Sequence, residues 1–315
     1  MPALTVLAID LGGTHAACAV VRDGKVLAVK TVAADRESSL ESLLSVLRDV
    51  LAALLTKLCL DASDCSAMVF AFPGIVCGRE NRVLATNAKF DDAPKLDLKE
   101  WCKQTFGLPF LIENDARLAL LGEHRNGAAQ GTRDAVMITL GTGIGGSAML
   151  GGRLLESVNG LAGMIGGHIP VVLDGAMCSC GNRGCADIEA STVSLPSLYR
   201  RYTKGSEGSL RNEEKIGFAE LFQAAEAQDR PAIAALEYCL RVWSALTVAL
   251  IHAYDPEVVV FGGSVMKRAS VILPRLQEYV IAHAWTPGRT VPLRAAQLGS
   301  DAALVGAVAL AEYSL

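Results

Sequence analysis

The fold is decided by the stretch AVMITLGTGIGGSAMLGG, which occupies residues 135–152. A β-rich run at 135–140 leads into the glycine-rich turn 141–146, a second apolar run at 147–150 and the pair Gly151-Gly152. Apolar runs separated by glycine turns are typical of neighbouring antiparallel strands. The stretch therefore predicts two antiparallel strands joined by the glycine turn, with a further strand after them.

The beginning of the chain has the same organisation. β-rich runs at residues 5–9, 15–21 and 26–32 are separated by Gly12-Gly13 and by the Asp23-Gly24 turn. This spacing predicts three antiparallel strands. Because the order of strand, glycine turn and strand occurs twice, we expect an internally duplicated α/β fold.

Helices and further strands fill the rest of the chain. Ser38 and Glu41 form a capping-box pattern, which predicts a helix that runs to about Leu58. A helix is also expected over 118–125, ended by Gly127. The other predicted elements are strands at 67–72, 110–112, 258–261 and 291–295, helices at 232–254 and 275–285, and a terminal helix from Ala302, with an exposed insertion at 204–215.

Composition limits the class of protein. A chain of 315 residues predicts two domains, because one domain usually takes about 100 to 200 residues. The 29 Lys and Arg against 33 Asp and Glu leave no strongly basic surface for nucleic acid. The chain does not open on a basic, apolar leader, and no run approaches the ~18 apolar residues of a membrane span. We therefore expect a cytoplasmic protein without nucleic-acid or membrane partners.

The turn 141–146 also fits the dinucleotide-binding pattern G-x-G-x-x-G. That pattern must open a helix, whereas these glycines lead into a strand, which argues against a Rossmann unit. A turn between strands can still direct backbone N–H groups at a phosphate, and Thr142 adds a hydroxyl. The motif alone is equally compatible with a phosphate-binding turn and with a glycine hairpin that binds nothing.

A similar turn, formed by Asp10, Gly12, Gly13 and Thr14, follows the first predicted strand. Two such turns could hold a polyphosphate between them. A carboxylate beside phosphates requires a cation, so Asp10 predicts Mg²⁺. The alternative is an Asp that caps its own turn.

Glu113, Asn114 and Asp115 lie where a predicted strand passes into a helix. At this kind of position α/β proteins present side chains to a ligand. Any one of them could instead be an ordinary helix cap, since Asn and Asp are favoured there. Taken with the two glycine turns, they predict a carboxylate that accepts the proton of a substrate hydroxyl.

His168, Cys178, Cys180 and Cys185 offer one imidazole and three thiols within 18 residues. This set suits a closed tetrahedral Zn²⁺ site, and four protein ligands leave no position for a reactive water. We therefore predict a structural zinc; the alternative is a chance grouping. The other six cysteines are isolated in the sequence: Cys18, Cys59, Cys65, Cys77, Cys102 and Cys239.

Together these motifs resemble, in order and spacing, those of the ROK sugar kinases. The resemblance covers nearly the whole chain and includes the Gly262-Gly263 pair. It implies an actin-like fold of two lobes, each ribonuclease-H-like, with ATP in the cleft between them. The small lobe would comprise residues 1–118 and 299–315, and the large lobe, which carries the zinc loop, residues 119–298.

The resemblance also implies a role for each matching residue. Asp115 would be the general base that activates the 6-hydroxyl of a hexose. The sugar ligands would be Asn87, Asn114, Asp115, His168 and Asp187, and the nucleotide and Mg²⁺ ligands would be Asp10, Gly12, Gly13, Thr14, Gly141, Thr142, Gly143, Gly262 and Gly263. A homodimer is implied in the same way.

Three positions depart from the family pattern. Met164, followed by an extra glycine, stands where the family has a sugar-binding Glu. Asp187 replaces a second Glu, for which Glu189 could compensate, and His15 replaces a Lys. Because two of these changes fall on the sugar side, an ATP-dependent hexose kinase is expected with glucose as first substrate and N-acetylmannosamine, fructose or allose as alternatives.

Two functions of other classes compete with the kinase. A sugar-responsive regulator would carry an N-terminal helix-turn-helix, and the first glycine turn, which begins at Asp10, leaves no room for one. A catalytically silent sugar-binding protein has no need of Asp10, Asp115 and both glycine turns. The sequence therefore favours the enzyme.

Overall fold

The computed structural model describes residues 4–12, 14–34, 39–86, 89–203 and 208–315. Gly13, Ser38 and Asn87 lie outside the described residues, as does the 204–207 part of the predicted insertion. The chain forms two compact units. Unit 1 comprises Met1–Thr132, Arg153–Met164 and Gln297–Leu315, and unit 2 comprises Arg133–Gly152 and Ile165–Ala296.

This division differs from the lobe boundary expected after residue 118. That position falls inside a helix, Asp115–Asn126, whose residues pack as one body with the C-terminal helix. The units change instead at 132/133, in the turn that precedes the next strand.

Unit 1 is built on a five-stranded sheet of β1 Thr5–Leu11, β2 His15–Arg22, β3 Lys25–Ala33, β4 Ala67–Phe72 and β7 Phe110–Asn114, with a separate hairpin of β5 Ile75–Cys77 and β6 Arg82–Ala85. The strand order in the sheet is β3-β2-β1-β4-β7. The three antiparallel strands at the start of the chain confirm the predicted meander. β4 and β7 continue the sheet in parallel, so that their carboxyl ends and that of β1 meet at one edge.

The helices of unit 1 are α1 Leu40–Lys57, α2 Leu98–Phe106, α3 Asp115–Asn126 and α9 Ala302–Ser314. The N-cap of α1 is Ser39, one residue after the predicted Ser38, and its hydroxyl accepts from the Ser42 amide at 3.1 Å. The carboxylate of Asp92 accepts from the first two amides of this helix at 2.9 Å, so a distant residue completes the cap.

Two glycines let α3 and α9 cross at very short range. A Cβ on Gly122 would lie 2.0 Å from the Ala302 carbonyl oxygen, and one on Gly306 would lie 1.9 Å from that of Leu118. Buried Glu123 adds carboxylate hydrogen bonds from the Gln297 and Leu298 amides at 2.8–3.0 Å. These contacts fix α3 on α9, and thereby fix the position of the first turn of α3.

Unit 2 repeats the sheet topology. Its strands are β8 Ala135–Leu140, β9 Ile144–Leu150, β11 Val258–Gly262 and β12 Leu293–Ala295; β10, Arg153–Leu154, falls within unit 1. The four strands lie side by side in the order β9-β8-β11-β12, with the first pair antiparallel and the next two parallel, as in β2-β1-β4-β7. The repeated order of antiparallel and parallel pairs confirms the predicted duplication.

The helices of unit 2 are α4 Ala186–Ala190, α5 Leu195–Tyr202, α6 Phe218–Glu226, α7 Arg230–Tyr254 and α8 Ala269–His283. Contrary to the sequence expectation, α7 is long and apolar enough to cross a membrane by length and composition. It packs against α4, α5, α6 and α8. A core helix of a soluble protein passes the same test, so this one helix is weak evidence for a membrane span.

Candidate active site

The junction of β7 and α3 presents Asn114 and Asp115. Asn114 is the N-cap, because its Oδ1 accepts from the amides of Ala116 at 3.1 Å and Arg117 at 3.3 Å. Its Nδ2 donates to the Gly74 carbonyl at 3.2 Å. The cap therefore holds Asp115 in the first turn of the helix, at the edge of the sheet where β1 also ends.

Asp115 and Asp10 form a pair of carboxyl groups with altered acidity. Burial raises the pKa of Asp115 to about 6. Burial also raises the pKa of Asp10, at the end of β1, and the negative charge of Asp115 raises it further, to about 7. The Asp115 charge thus disfavours the ionised form of Asp10. A cation beside Asp10 would relieve the repulsion, and an oxygen-ligand pair of this kind fits Mg²⁺.

Glu113 has a different role from its neighbours. Its side chain is buried and lies 3.0 Å from the Nε of buried Arg117, with which it forms an ion pair. Burial raises the pKa of Glu113, and the Arg117 charge opposes that rise. Arg117 in turn donates to the carbonyls of Leu155 at 2.7 Å and Ala162 at 2.9 Å. The pair therefore connects α3 to the segment 155–162.

The first glycine turn is stabilised by a residue that the sequence did not single out. The amide of Gly12 donates to the His15 carbonyl at 2.8 Å, and the Thr14 hydroxyl lies 2.7 Å from the Nδ1 of His15. The buried ammonium of Lys89 donates to the Gly12 carbonyl oxygen and, at 3.4 Å, to that of Ala34. No local sequence pattern predicts this contact, since 77 residues separate Lys89 from Gly12.

The second glycine turn belongs to unit 2 and is held through its backbone. The Gly141 amide donates to the Gly143 carbonyl at 3.0 Å. The Thr192 amide donates to the Gly141 carbonyl at 3.0 Å, and the Val193 amide donates to that of Thr142 at 3.3 Å. These bonds give the turn a defined shape, and it leads directly into β9.

Backbone conformation and close packing explain the glycine at the second position of the Gly262-Gly263 pair. Gly263 has a φ of +90°, a conformation that glycine adopts without strain. A Cβ there would lie 2.2 Å from the carbonyl oxygen of Leu140, at the end of β8. Glycine is therefore required at this position for the two parallel strands to end side by side.

His168, Cys178, Cys180 and Cys185 converge, with all four donor atoms within 4.8 Å of one another. The Cys178 Sγ lies 3.5 Å from the His168 Nδ1, and the Sγ atoms of Cys180 and Cys185 are 3.6 Å apart. A tetrahedral zinc with Zn–S near 2.3 Å and Zn–N near 2.0 Å separates its ligands by about 3.5 to 3.8 Å. The residues therefore fit Zn²⁺ with Nδ1 as the imidazole ligand.

The two acids that follow the zinc loop both accept backbone hydrogen bonds. Asp187 Oδ1 accepts from the Ile144 amide at 2.6 Å. Glu189 is 2% exposed, and its carboxylate accepts from the Ala176 amide at 2.5 Å and from the Tyr238 hydroxyl. Glu189 is therefore engaged by the zinc loop, which argues against the compensating role that its place in the sequence suggested.

Met164 is also accounted for by packing. It is 6% exposed and belongs to the hydrophobic core of unit 1, together with residues of β1, β4 and α1. An apolar side chain at this position contributes to the core of the unit.

Comparison with known proteins identifies the family, because the model of the ROK family matches residues 6–314. The chain belongs to the ROK family. The glucokinase of Thermotoga maritima is 30% identical over 317 aligned positions, which cover 98% of both proteins. The xylose repressor of Bacillus subtilis is 26% identical over 74% of this chain and 58% of the repressor.

Solved ROK structures share the fold. The crystal structure of the ROK family glucokinase from Streptomyces griseus, in complex with glucose and AMPPNP, is 29% identical and gives a TM-score of 0.80, with 98% of this chain and 100% of that chain covered. ROK kinases have the actin-like, duplicated ribonuclease-H-like fold, so the predicted fold class is confirmed.

The residues predicted to form the ROK site divide between the two units. Unit 1 holds Asp10, Gly12, Thr14, Asn114 and Asp115, while unit 2 holds Gly141, Thr142, Gly143, His168, Cys178, Cys180, Cys185, Asp187, Gly262 and Gly263. Within unit 1, Asp10 and Asp115 come together. Within unit 2, Asp187 and the second glycine turn come together, as do the four zinc ligands.

Proposed function

We propose that this ROK protein is an ATP-dependent hexose kinase, which transfers the γ-phosphoryl group of MgATP to the 6-hydroxyl of an aldohexose, with glucose as the first substrate. The observation that carries the proposal is the Asp115 carboxylate, whose pKa is raised to about 6 beside Asp10. A general base is most effective when its pKa lies near the working pH. The glucokinase relatives support the same activity.

In this proposal Asp115 accepts the proton of the sugar 6-hydroxyl. The oxygen then forms a bond to the γ-phosphorus as the bond to the departing ADP breaks, so that the products are hexose 6-phosphate and ADP. Positioning and electrostatic stabilisation provide most of the rate in phosphoryl transfer. The N-cap of Asn114 supports this role, because it fixes the backbone that carries Asp115.

Sugar recognition is assigned to Asn114, His168 and Asn87. Asn114 Nδ2 donates to the Gly74 carbonyl at 3.2 Å, and its side chain also hydrogen-bonds the Asp115 carboxylate, so it lies next to the proposed base. His168 faces the cysteines through Nδ1, which leaves its Nε2 for a hydroxyl. N-acetylmannosamine, fructose and allose are the alternative substrates.

Nucleotide binding is assigned to the glycine turns. Gly12, Gly13 and Thr14 would contact phosphate from one turn, and Gly141, Thr142 and Gly143 from the other. Gly262 and Gly263 would contact the adenosine. Asp10 would hold the Mg²⁺ of MgATP, which neutralises charge on the phosphates when it is bound.

The zinc set would hold one structural Zn²⁺ per chain. A closed site of three thiolates and one imidazole stabilises the loop that carries it and has no position for substrate. We also propose a homodimer and a cytoplasmic location for this enzyme.

A regulatory or silent sugar-binding function is the competing proposal, and similarity to the xylose repressor supports it. The two functions differ in turnover. A coupled ADP-release assay over glucose, mannose, allose, fructose, glucosamine and N-acetylmannosamine should find at least one substrate, with phosphorylation at the 6-position shown by mass spectrometry and NMR. Sugar binding by calorimetry without any ADP release would instead establish the silent protein.

A further inference from the structure

We infer that Asp187 is a positioning residue for the Gly141–Gly143 turn rather than a ligand of the sugar. The inference rests on the proposed function, in which that turn contacts the phosphates of ATP. Asp187 lies in the first turn of α4, and its Oδ1 accepts from the Ile144 amide at 2.6 Å. This is a short, charge-assisted hydrogen bond to the peptide that closes the turn.

The Gly143–Ile144 peptide is held at both ends. Its N–H points at Asp187, and its carbonyl accepts from the Gly141 amide at 3.0 Å. Because a trans peptide is planar, fixing both groups fixes the orientation of the whole unit. Gly143 is required for this approach, since a Cβ there would lie 2.9 Å from Asp187 Oδ1.

The segment that follows the zinc loop holds the rest of the turn in the same way. The Thr192 amide donates to Gly141 and the Val193 amide to Thr142. Residues 187–193 therefore contact successive peptides of the turn. Asp187 makes its contact through its side chain, whereas Thr192 and Val193 use their backbone amides. Cys185, two residues before Asp187, is the buried N-cap of α4 and a member of the zinc set. The zinc loop and the phosphate turn are thus joined through α4.

If Asp187 has this role, its loss should affect the KM for ATP much more than the KM for the sugar. Loss of a hydrogen bond to a charged group commonly changes an equilibrium by about tenfold or more. Asp187→Ala should therefore raise the KM for ATP, or lower kcat/KM for ATP, by about tenfold or more, while the KM for the sugar changes less than about twofold. Asp187→Asn retains an oxygen that can accept from the Ile144 amide, so it should stay close to the wild type for both substrates.

Asp134→Ala is a matched control within unit 2. Asp134 Oδ1 accepts from the Gly151 amide at 2.6 Å, so this variant removes an equivalent contact at the other hairpin turn. It should leave the KM values for ATP and sugar unchanged. Circular dichroism and zinc content of each variant should match the wild type. If Asp187→Ala fails to fold, Asp187→Asn still distinguishes the two roles. Loss of the charge would weaken sugar binding if Asp187 were a charged sugar ligand, and would leave it unchanged if Asp187 positions the turn.

The experiment combines steady-state kinetics for ATP and sugar with calorimetric binding of AMPPNP in the presence of Mg²⁺. Weaker AMPPNP binding by Asp187→Ala, with sugar KM preserved, is the expected result. A raised sugar KM in both Asp187 variants with ATP unchanged, or no change in any parameter, would overturn the inference. If the wild type phosphorylates no sugar, the kinase proposal fails, and AMPPNP binding alone then tests Asp187. No AMPPNP binding by the wild type would overturn both.

Discussion

Two acids of unit 1, Asp10 and Asp115, are held differently from two acids of unit 2, Asp187 and Glu189. Asp10 and Asp115 lie close together and partly buried at the ends of β1 and β7, and the pKa of each is raised well above its usual range. On α4, Asp187 and Glu189 each accept from a backbone amide, those of Ile144 and Ala176. Asp115 also accepts from the Ala116 amide, at 2.8 Å, but its burial outweighs this hydrogen bond, whereas the second pair is incorporated into its scaffold.

This contrast distinguishes acids kept for chemistry from acids kept for structure. A carboxylate whose ionised form is disfavoured in the fold tends to occur at functional sites, where a ligand or metal supplies the missing interaction. A carboxylate bonded to backbone amides stabilises the local fold. All four acids lie in or next to predicted site motifs, so the sequence alone does not separate the two kinds.

The largest expected effect falls on unit 1. Asp115→Asn should lower kcat by about 10²- to 10⁴-fold, since that is the usual contribution of a general base, with a much smaller change in sugar affinity. Asp97→Asn is the matched control, because Asp97 caps α2 in the same unit with an oxygen 2.9 Å from the Glu100 amide. It should have wild-type turnover. Near-normal kcat in Asp115→Asn would show that this residue is not the base.

In unit 2 the largest effect should be on stability. Cys180→Ser removes one proposed zinc ligand, so the zinc content should fall below the one equivalent per chain expected of the wild type, and the Tm should drop by several degrees. Cys59→Ser, at an exposed isolated cysteine, should change neither property. Elemental analysis and thermal unfolding test both. Zinc-free wild-type protein of full stability would contradict the structural zinc.

Much of the fold was predictable because its signals are local. The antiparallel meander, the strand of residues 67–72 and the end of α3 at Gly127 follow from alternation and turn residues close in sequence. β9 begins three residues earlier than predicted, since Gly145 and Gly146 pair with β8 and take part in the ladder. A glycine run is a poor strand signal, so the tertiary pairing overrides it.

The site was predictable in its motifs but not in its supporting contacts. Asn114 and Asp115 stand next to each other, and the zinc ligands lie within one loop. The Asp187–Ile144 bond spans 43 residues and the Glu189–Tyr238 contact spans 49. Nothing in local spacing links such pairs, so their roles appear only once the chain is folded.

The pH dependence of turnover follows from the Asp115 pKa of about 6. A base must be ionised, so kcat/KM should rise about tenfold per pH unit below pH 6 and level off above about pH 7. Profiles from pH 5 to 8.5, with Asp97→Asn as control, test this. A flat profile would contradict the raised pKa.

The central claim is that Asp10 and Asp115 are held at a cost in stability, whereas Asp187 and Glu189 stabilise the fold. The free energy of unfolding at pH 8 of Asp10→Asn and Glu189→Gln tests this claim most directly. An acid whose pKa is raised in the folded state, here from 3.8 to about 7, destabilises the fold above that pH and has no effect below the unfolded value. Asp10→Asn should therefore gain about 1 to 3 kcal/mol at pH 8 and much less at pH 5.

Glu189→Gln should lose about 1 to 3 kcal/mol at pH 8, because it weakens hydrogen bonds to a buried charged group. Denaturant unfolding of both variants and of the wild type, without added nucleotide or Mg²⁺, gives the comparison. Opposite signs, with the Asp10 gain shrinking as the pH falls, are the predicted result. Loss of stability in Asp10→Asn together with no loss in Glu189→Gln would contradict the account.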